Sequence, residues 1–417
     1  MKRIAVIGSG ISGLAAGYLL SRRHEVHLFE RASRLGGHTN TIIVNDEQTP
    51  LALDTGFLVH NDRTYPHLIR LFAELGVETQ PSDMSFSVSC TRTGFEYSSR
   101  GARGFFAQKR NLFRGAHLRL LAAIARFNRR APRLLAAPDN AHVTLADFLD
   151  EERYGSEFME RYLYPMASAI WSASIEAIRS FPATTLVRFL DNHGLLGIHS
   201  QPQWKVVRSG SHTYIPLLTA PYRDRIQLSA TIHSVARDEF GVTLNFLDRS
   251  PRRFDEVVFA CHGNQVLPLL ADPRDAERDV LGRFQTTRND AWLHTDDSVL
   301  PRRRLARASW NYRLGEVSGA PPTVSYDLNR LQTLTTGAQY CVTLNPHAAI
   351  DERRVLRKIV YHHPLYDAHA IRAQGRWADV SGARHTHLCG AYWFYGFHED
   401  GLRSAVRVAR ALGVEWP

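Results

Sequence analysis

The first thirty residues show a change in hydrophobic periodicity that predicts strand, helix and strand. Residues 3–8 are an apolar run, typical of a strand buried on both faces of a parallel sheet. Residues 11–23 carry apolar side chains at helical spacing, and residues 24–30 form a second strand-like run. Together these segments predict one βαβ unit.

The rest of the chain mixes helical and strand-like patterns. Residues 64–77 and 112–130 have the spacing of amphipathic helices, and residues 225–247 alternate as strands do. Residues 254–261 resemble another buried parallel strand, and residues 385–392 precede a helix that begins near Gly401. The pattern predicts an α/β protein whose sheet is built from distant parts of the chain.

Composition narrows the class of protein. A chain of 417 residues with 44% hydrophobic and 22% charged residues is expected to form two packed globular domains. The four cysteines are widely separated, which argues against a zinc site or a disulfide framework, so we expect no metal. No segment reaches the ~20 apolar residues of a membrane span, and glycines interrupt the apolar start. We therefore expect a cytoplasmic protein, either soluble or peripheral on the inner face of a membrane.

A glycine motif joins the first strand to the first helix. Gly8, Gly10 and Gly13 match GxGxxG, and Glu30 ends the following strand. Such glycines let a pyrophosphate approach the helix N-terminus near Ile11 and Ser12, while the acid binds the ribose hydroxyls. The motif in this context predicts a dinucleotide site.

The residues after this unit resemble the flavin-containing amine oxidase and phytoene desaturase superfamily. Arg34, Gly36, Gly37 and His38 match its R-x-G-G-R element, except that His38 stands where the family has arginine. Residues 53–57 (LDTGF) are similar to the segment beside the isoalloxazine ring. The resemblance implies FAD as cofactor, and it implies cofactor contacts from Glu30, Arg31, Arg34, Gly36, Gly37, His38, Thr39, Asp54, Thr55, Gly56 and Phe57.

The same resemblance implies the architecture. We expect a Rossmann-like FAD-binding domain assembled from residues 1–82, 201–290 and 346–417. A mixed α+β substrate domain, residues 83–200 and 291–345, is expected to be inserted between those pieces, as in amine oxidases.

The aromatic stretch before the last helix is the third expected piece of the site. Gly390 is expected to pass close to the cofactor, and the helix start, with Glu399, Asp400, Gly401 and Leu402, to face the pyrimidine edge of the flavin. Asp400 is alternatively a simple helix cap. For a base we consider His398, Tyr395 and His362, with His363 and Tyr361 as further candidates, although each is alternatively a structural or orienting group. No counterpart of the lysine found near the flavin in many amine oxidases is evident, and Lys205 is only a positional candidate.

Several segments, including GGHTNT and the run from Cys389 to Ala405, are similar to a bacterial group described as predicted NAD/FAD-binding proteins. That resemblance implies oxidation of an aliphatic C–C bond in a lipid acyl chain, of a membrane phospholipid or a methyl-branched fatty acid, with hydride transfer to flavin N5. The electron acceptor is not identified by the sequence. The alternatives are a fatty-acid double-bond isomerase, an oxidase of a soluble amine, and a lipid-binding protein that retains flavin.

One segment is strongly basic. Residues 97–138 contain no Asp or Glu, within a chain of net charge +10. On the predicted helix 112–130, Phe113, Leu120, Ile124 and Phe127 share one face. The opposite face carries Arg114, Arg119, Arg126, Arg129 and Arg130. Either this is an ordinary amphipathic helix, or its basic face meets anionic lipid headgroups. Nucleic acid would suit the charge, but no nucleic-acid-binding motif accompanies it, so we expect none.

Overall fold

The computed structural model describes residues 1–46, 49–136, 143–197, 202–314, 322–346 and 350–416. Its strands are Arg3–Ile7 (β1), Glu25–Phe29 (β2), Thr41–Asp46 (β3), Thr49–Asp54 (β4), His60–Asn61 (β5), Thr79–Pro81 (β6), Phe86–Cys90 (β7), Phe95–Ser98 (β8), Trp204–Val207 (β9), Ile226–Gln227 (β10), Ile232–Asp238 (β11), Gly241–Phe246 (β12), Arg252–Phe254 (β13), Glu256–Phe259 (β14), Gln285–His294 (β15), Trp310–Arg313 (β16), Thr323–Asp327 (β17), Cys341–Leu344 (β18), Val355–Leu365 (β19) and Thr386–Leu388 (β20).

The α-helices are Ile11–Leu20 (α1), Pro66–Leu75 (α2), Gly101–Phe105 (α3), Gly115–Arg130 (α4), Leu145–Glu151 (α5), Ser156–Phe158 (α6), Tyr164–Trp171 (α7), Ile175–Arg179 (α8), Ala183–Asn192 (α9), Tyr214–Thr219 (α10), Gly263–Leu269 (α11), Asp275–Leu281 (α12), Leu328–Leu331 (α13), Ala368–Gln374 (α14), Trp377–Val380 (α15) and His398–Ala411 (α16). None of the helices in the described ranges has the length and hydrophobicity of a membrane span.

A five-stranded parallel sheet carries the first predicted unit. Its order is β10-β2-β1-β14-β20, and every neighbouring pair is parallel. Val6 lies between Leu28 and Val258 in register, and all three are fully buried. Apolar side chains on both faces of β1 explain why this short run forms the centre of a covered sheet. The predicted βαβ unit is therefore confirmed.

The second large sheet has seven strands in the order β19-β15-β18-β17-β16-β7-β8, antiparallel except between β7 and β16. Residues 346–417 were predicted to belong wholly to the cofactor domain, but β19 is part of this second sheet. It pairs with β15 from Gln285 to His294, so the predicted boundaries at 291 and 346 cut through this sheet. Residue 201, the predicted start of the second cofactor piece, lies outside the described residues.

Helix α4 begins later than its hydrophobic pattern suggests. Residues Lys109–Phe113 form a separate 3₁₀ turn, so Phe113 is not on the core face and is 90% exposed. Leu120 and Phe127 are buried as predicted. Among the predicted basic residues, Arg119 pairs with Glu157, and Arg126 and Arg130 pair with Glu152. Arg114 precedes the helix, and Arg129 is exposed on it.

Helix α16 packs directly on α1. A Cβ added to Gly401 would lie 2.7 Å from the Ile11 side chain and 2.8 Å from the Ser12 hydroxyl. Leu402, Ala405, Val408 and Ala409 are fully buried. The last helix therefore closes against the start of the first one, next to the glycine loop.

Candidate active site

A cavity of about 870 Å³ runs from the glycine loop to the seven-stranded sheet. Its end next to the parallel sheet is lined by Ile7, Gly8, Ser9, Gly10, Ile11, Ser12, Phe29, Glu30, Arg31, Ala32, Arg34, Gly37, His38, Ala260, Cys261 and His262. Most of the residues predicted from the dinucleotide motif thus meet in one place.

The three glycines of the loop do different work. Gly8 has φ +104°, and a Cβ there would lie 2.9 Å from the backbone of Ala260. A Cβ on Gly13 would lie 1.9 Å from the Gly8 carbonyl oxygen, so α1 can approach β1 only with glycine at this position. Gly10 differs, because a Cβ there would meet nothing within 4 Å. The Gly10 position faces open cavity, as expected where a pyrophosphate approaches the backbone.

Glu30 is held at the end of β2. Its carboxylate accepts hydrogen bonds from the backbone N–H and hydroxyl of Ser9, at 2.9 and 2.7 Å, and from the N–H of Ala32 at 2.8 Å. The acid is thereby fixed at the cavity wall one strand away from the glycine loop, where a ribose would be bound. Arg31 lines the cavity beside it and is exposed.

The Arg34–His38 segment folds over the loop. Arg34 donates to the Gly37 carbonyl at 2.8 Å, and a Cβ on Gly37 would lie 3.2 Å from Gly10 Cα. Gly36 has φ +106°, and its N–H donates to the Ser9 carbonyl at 3.0 Å. Gly36 lies behind the lining residues, whereas Arg34, Gly37 and His38 line the cavity.

His38 is the residue at which the resemblance implies a second arginine. Its ring stacks on Tyr361 at 4.7 Å, and its buried Nε2 has no hydrogen-bond partner in the structure. Burial, together with neighbouring histidines such as His363, holds the pKa of His38 well below its usual value. The side chain is therefore uncharged at neutral pH and offers a hydrogen bond in place of a permanent positive charge.

Part of the 53–57 segment lines the cavity, and part of it holds the segment in place. Thr55, Gly56 and Phe57 line the cavity. Asp54 does not, because its carboxylate accepts the N–H and hydroxyl of Ser211 and the hydroxyl of Thr41. Burial raises the pKa of Asp54. This acid ties the 53–57 segment to the 211 turn and does not project into the site.

Of the contacts predicted in and before α16, some line the cavity and others do not. Gly390 and His398 line the cavity, whereas Asp400, Gly401 and Leu402 lie behind it. Asp400 accepts the Phe397 N–H at 2.9 Å as an N-terminal cap, and burial raises its pKa to about 7. The free amides of the first helical turn belong to residues 398–400, so the positive end of the helix dipole is at the cavity edge.

Glu399 points away from the cavity. Its carboxylate accepts the backbone N–H groups of His67 and Leu68, at 3.1 and 3.0 Å, and contacts His67 Nδ1 at 2.5 Å. These amides belong to the first turn of α2, whose own N-cap side chain, Tyr65, makes no capping bond. Glu399 therefore caps a neighbouring helix.

His398 is oriented by three contacts. Its ring stacks on Phe57 at 3.7 Å with an interplanar angle of 14°, and Nε2 lies 3.1 Å from the Thr39 hydroxyl and 3.2 Å from the Tyr214 hydroxyl. The Thr39 and Tyr214 hydroxyls also bond to each other. Burial lowers the pKa of His398 to about 3, so the ring is uncharged at neutral pH.

The other candidates for a base take different positions. Tyr395 and His362 both line the cavity, and burial raises the pKa of Tyr395. His363 and Tyr361 also line it. Asn289 bonds to His363 Nδ1, and Asn40 and Thr55 bond to the Tyr361 hydroxyl. Lys205 is elsewhere and forms an ion pair with Asp62.

The far end of the cavity is formed by residues that do not belong to the cofactor-binding motifs. It is lined by Met84, Phe86, Met166, Ile170, Trp171, Phe189, His193, Leu195, Trp204, Trp310, Tyr326 and Leu344. Among the described lining residues, the only Asp, Glu, Lys and Arg are Glu30, Arg31 and Arg34, all at the opposite end. Within the described ranges, no three His, Cys, Asp or Glu side chains converge as metal ligands would.

A sequence profile of flavin containing amine oxidoreductases matches residues 11–321. The chain belongs to this family. No significant match was found among curated proteins.

Solved structures share the fold of this chain over nearly its whole length. Putrescine oxidase bound to putrescine has 14% identity and a TM-score of 0.70, with 99% of this chain and 98% of that one covered. Cyclohexylamine oxidase from Brevibacterium oxydans IH-35A has 17% identity and a TM-score of 0.68, with 99% of both chains covered. A conjugated-linoleic-acid (CLA)-producing fatty acid isomerase from P. acnes has 16% identity and a TM-score of 0.68, with 98% of both covered.

The cofactor of this family member is FAD, and the residues of the cavity fit that group. Gly10 leaves open space beside the helix N-terminus for a pyrophosphate. Glu30 stands where ribose hydroxyls would be bound, and the unpartnered Nε2 of His38 lies in the same end of the cavity. The enzyme is an FAD-dependent oxidoreductase with the amine-oxidase fold.

Sequence reasoning missed His193. It follows α9 as the C-cap residue, lines the cavity and stacks on Phe189 at 3.9 Å. Its Nδ1 lies 2.8 Å from the Phe189 carbonyl oxygen. Burial lowers its pKa to about 4. No signal in the sequence marks it, because a single histidine after a helical segment is usual on a protein surface.

Proposed function

We propose that this FAD-dependent oxidoreductase oxidises an aliphatic C–C bond of a lipid acyl chain. When bound, FAD supplies the acceptor for a hydride. The chain's own residues bind the substrate, exclude water from it and receive the proton that leaves the neighbouring carbon.

The uncharged far end of the cavity carries this proposal. Its walls are aromatic, aliphatic and methionine side chains, with no described Asp, Glu, Lys or Arg. An ammonium group placed there would be desolvated without a counter-charge, which is strongly unfavourable. A hydrocarbon chain would instead gain about 0.8 kcal/mol for each buried CH₂. The cavity therefore suits an acyl chain better than an amine.

The structural comparison supports the same substrate class. A fatty acid isomerase shares the fold over the whole chain, so this architecture accommodates a fatty acid in at least one protein. Amine oxidases share it equally well, and the choice between the two classes therefore depends on the lining residues.

Two histidines suit different roles in the reaction. His398 Nε2 is surrounded by the hydroxyls of Thr39 and Tyr214, which fits a residue that shapes the pocket. His193 is placed beside the Phe189 carbonyl, which can only accept a hydrogen bond, so its Nδ1 carries the proton and its Nε2 keeps a lone pair. His193 is the better candidate to receive the proton, because it lines the uncharged end of the cavity.

Anaerobic reduction of the flavin tests the proposal. Addition of phospholipid or free fatty acid should bleach the flavin absorbance, and putrescine or cyclohexylamine should leave it unchanged. Bleaching by the amines alone would overturn the proposal. A double bond that moves while the flavin stays oxidised would show an isomerase, and lipid binding with neither change would show a binding protein.

Matched variants of the cavity wall sharpen that test. Met166→Glu places a charge in the uncharged end, where Met166→Leu keeps its volume and polarity. We expect the glutamate variant to slow bleaching by lipid at least tenfold and the leucine variant to keep the wild-type rate within about threefold. Equal rates for both variants would mean that the acyl chain does not occupy this end.

A further inference from the structure

The turn before α4 and the outer face of that helix expose apolar side chains. Phe113 is 90% exposed, Leu112 47%, Leu118 46% and Leu121 43%. The opposite face of α4 is already used for the core, because Leu120 and Phe127 are buried. The exposed set is therefore additional to what folding requires, and it lies within residues 112–121.

Positive charges surround these side chains. Lys109, Arg110, Arg114 and Arg129 are all exposed, and within the described residues none of the four forms an ion pair. This contrasts with Arg119, Arg126 and Arg130, which are paired with glutamates. Because residues 97–138 lack acids, no neighbouring side chain in that segment can neutralise the four.

The apolar and basic groups lie on one face of α4 and in the turn directly before it. At 100° per residue, Arg114, Leu118, Leu121 and Arg129 fall on one face of α4. The preceding 3₁₀ turn, Lys109–Phe113, adds Leu112 and Phe113 to that end. We name this set, with Lys109 and Arg110, the 109–129 surface; none of its residues lines the active-site cavity.

We propose that the 109–129 surface docks the protein on an anionic lipid bilayer. Phe113 and the three leucines enter the boundary between headgroups and acyl chains, while the four cations contact lipid phosphates. A single-stranded nucleic acid would also attract the cations, but it binds apolar surface by stacking bases on aromatic rings. Three of the four exposed apolar side chains are leucines, which offer no ring, so the bilayer is the better match.

This surface lies about one turn further toward the N-terminus than the basic face predicted from the sequence. Arg114 and Arg129 belong to both sets. Arg119, Arg126 and Arg130 are not part of the 109–129 surface, because glutamates of the protein already neutralise their charges.

Vesicle sedimentation with purified holoprotein tests the proposal without turnover. We expect binding to vesicles of about one-third phosphatidylglycerol in phosphatidylcholine, weak binding to pure phosphatidylcholine, and a steep loss at about 0.5 M salt. Phe113→Ser/Leu118→Ser and Lys109→Glu/Arg110→Glu should each weaken binding at least about tenfold. These side chains are exposed, so the flavin spectrum should be unchanged.

Matched controls separate this surface from general charge and hydrophobicity. Phe240→Ser/Leu247→Ser removes side chains that are 79% and 68% exposed elsewhere, and Arg223→Glu/Arg278→Glu makes the same change in net charge on other elements. Both controls should bind as the wild type does. No binding by the wild type, or an equal loss in the controls, would overturn the proposal.

Light scattering of the same variants separates docking from self-association. If the wild type is a dimer that Phe113→Ser/Leu118→Ser makes monomeric, the surface is an interface between copies of this chain and the bilayer proposal fails. Since flavin reduction by a detergent-dispersed lipid does not need docking, it distinguishes failure here from failure of the proposed reaction.

Discussion

Two glycines of the same loop are needed for different reasons, Gly13 for packing within the protein and Gly10 for access of a ligand. Gly13 is required by the protein itself, since any side chain would meet the Gly8 carbonyl oxygen at 1.9 Å. Gly10 has φ −65° and ψ 177°, a conformation open to any residue, and its missing side chain leaves space only for a ligand. One substitution at each position therefore separates folding from cofactor binding.

We expect Gly13→Ala to destabilise the apoprotein by about 1–3 kcal/mol or more, because the chain must shift to relieve the overlap. Gly10→Ala should leave the unfolding free energy of the apoprotein unchanged within about 0.5 kcal/mol. The same substitution should weaken FAD binding at least tenfold. Urea unfolding and fluorescence titration with FAD measure the two effects, and unaltered FAD affinity in Gly10→Ala would remove the pyrophosphate from this position.

Individual side chains are where the sequence was least informative. The motif located the glycines, Glu30 and Arg34, because their spacing carries the geometry of a strand, turn and helix. It could not show that Glu399 turns toward α2, since consecutive acids at a helix start look alike in sequence. Hydrophobic periodicity also placed Phe113 on the same helix face as Leu120 and Phe127, because it assumed a helix from residue 112. The helix in fact begins at Gly115.

Helices α2 and α16 are joined by one carboxylate. Tyr65 leaves the first turn of α2 uncapped, and Glu399 supplies the missing acceptor from the other end of the chain. The connection fixes α16 against α2 as well as against α1. The structure thus indicates a structural role for Glu399, which the resemblance had assigned to the cofactor.

Removal of this carboxylate should cost stability without loss of FAD. We expect Glu399→Ala to lower the unfolding free energy by about 1–2 kcal/mol, in the range of lost helix caps, and Glu399→Gln to lower it less. FAD affinity should stay within about twofold of the wild type, as measured by titration of the apoprotein. A tenfold loss of FAD affinity with unchanged stability would instead place Glu399 at the cofactor.

Elements differed in how far they could be predicted. The strands β1 and β14 were recognisable because each contains at least three consecutive buried apolar residues. Strand β2, which includes Glu25 and His27, was recognisable from its position after the first helix. Strand β19 was not predicted as a strand, and residues 346–417 were placed in the cofactor domain. Its pairing with β15 depends on contacts between distant parts of the chain, which no local pattern shows. The helices between residues 143 and 192 form much of the apolar end of the cavity, and their sequences show only ordinary amphipathic spacing.

Across the whole molecule, many histidines are kept uncharged by burial. Burial lowers the pKa to about 4 for His60, His193, His262, His294 and His363, and to about 3 for His398. In the unfolded chain the same groups bind a proton near pH 6.5. The unfolded state therefore gains more protons as the pH falls from about 6.5 to 4, and stability is lost in that window.

We expect the apoprotein to be most stable above pH 6.5 and to lose about 1 kcal/mol per buried histidine by pH 5.5. Asp400 opposes this trend, because burial raises its pKa to about 7 and protonation below that value favours the folded state. His294 lies outside the cavity, so His294→Gln should reduce the difference between pH 7.5 and 5.5 by about 1 kcal/mol. The exposed His233→Gln serves as control, and stability that does not change with pH would contradict the prediction.

The contact between α16 and α1 also affects when the cavity can form during synthesis of the chain. Gly10 and His398 both line the cavity, and they are separated by 388 positions in the chain. At ~5–20 residues per second, the ribosome adds the last of these tens of seconds after the first. During that interval the glycine loop is complete, but the part of the cavity wall formed by residues 390–398 has not been made. A nascent chain can form the βαβ unit early, yet it can retain flavin firmly only once synthesis has passed α16.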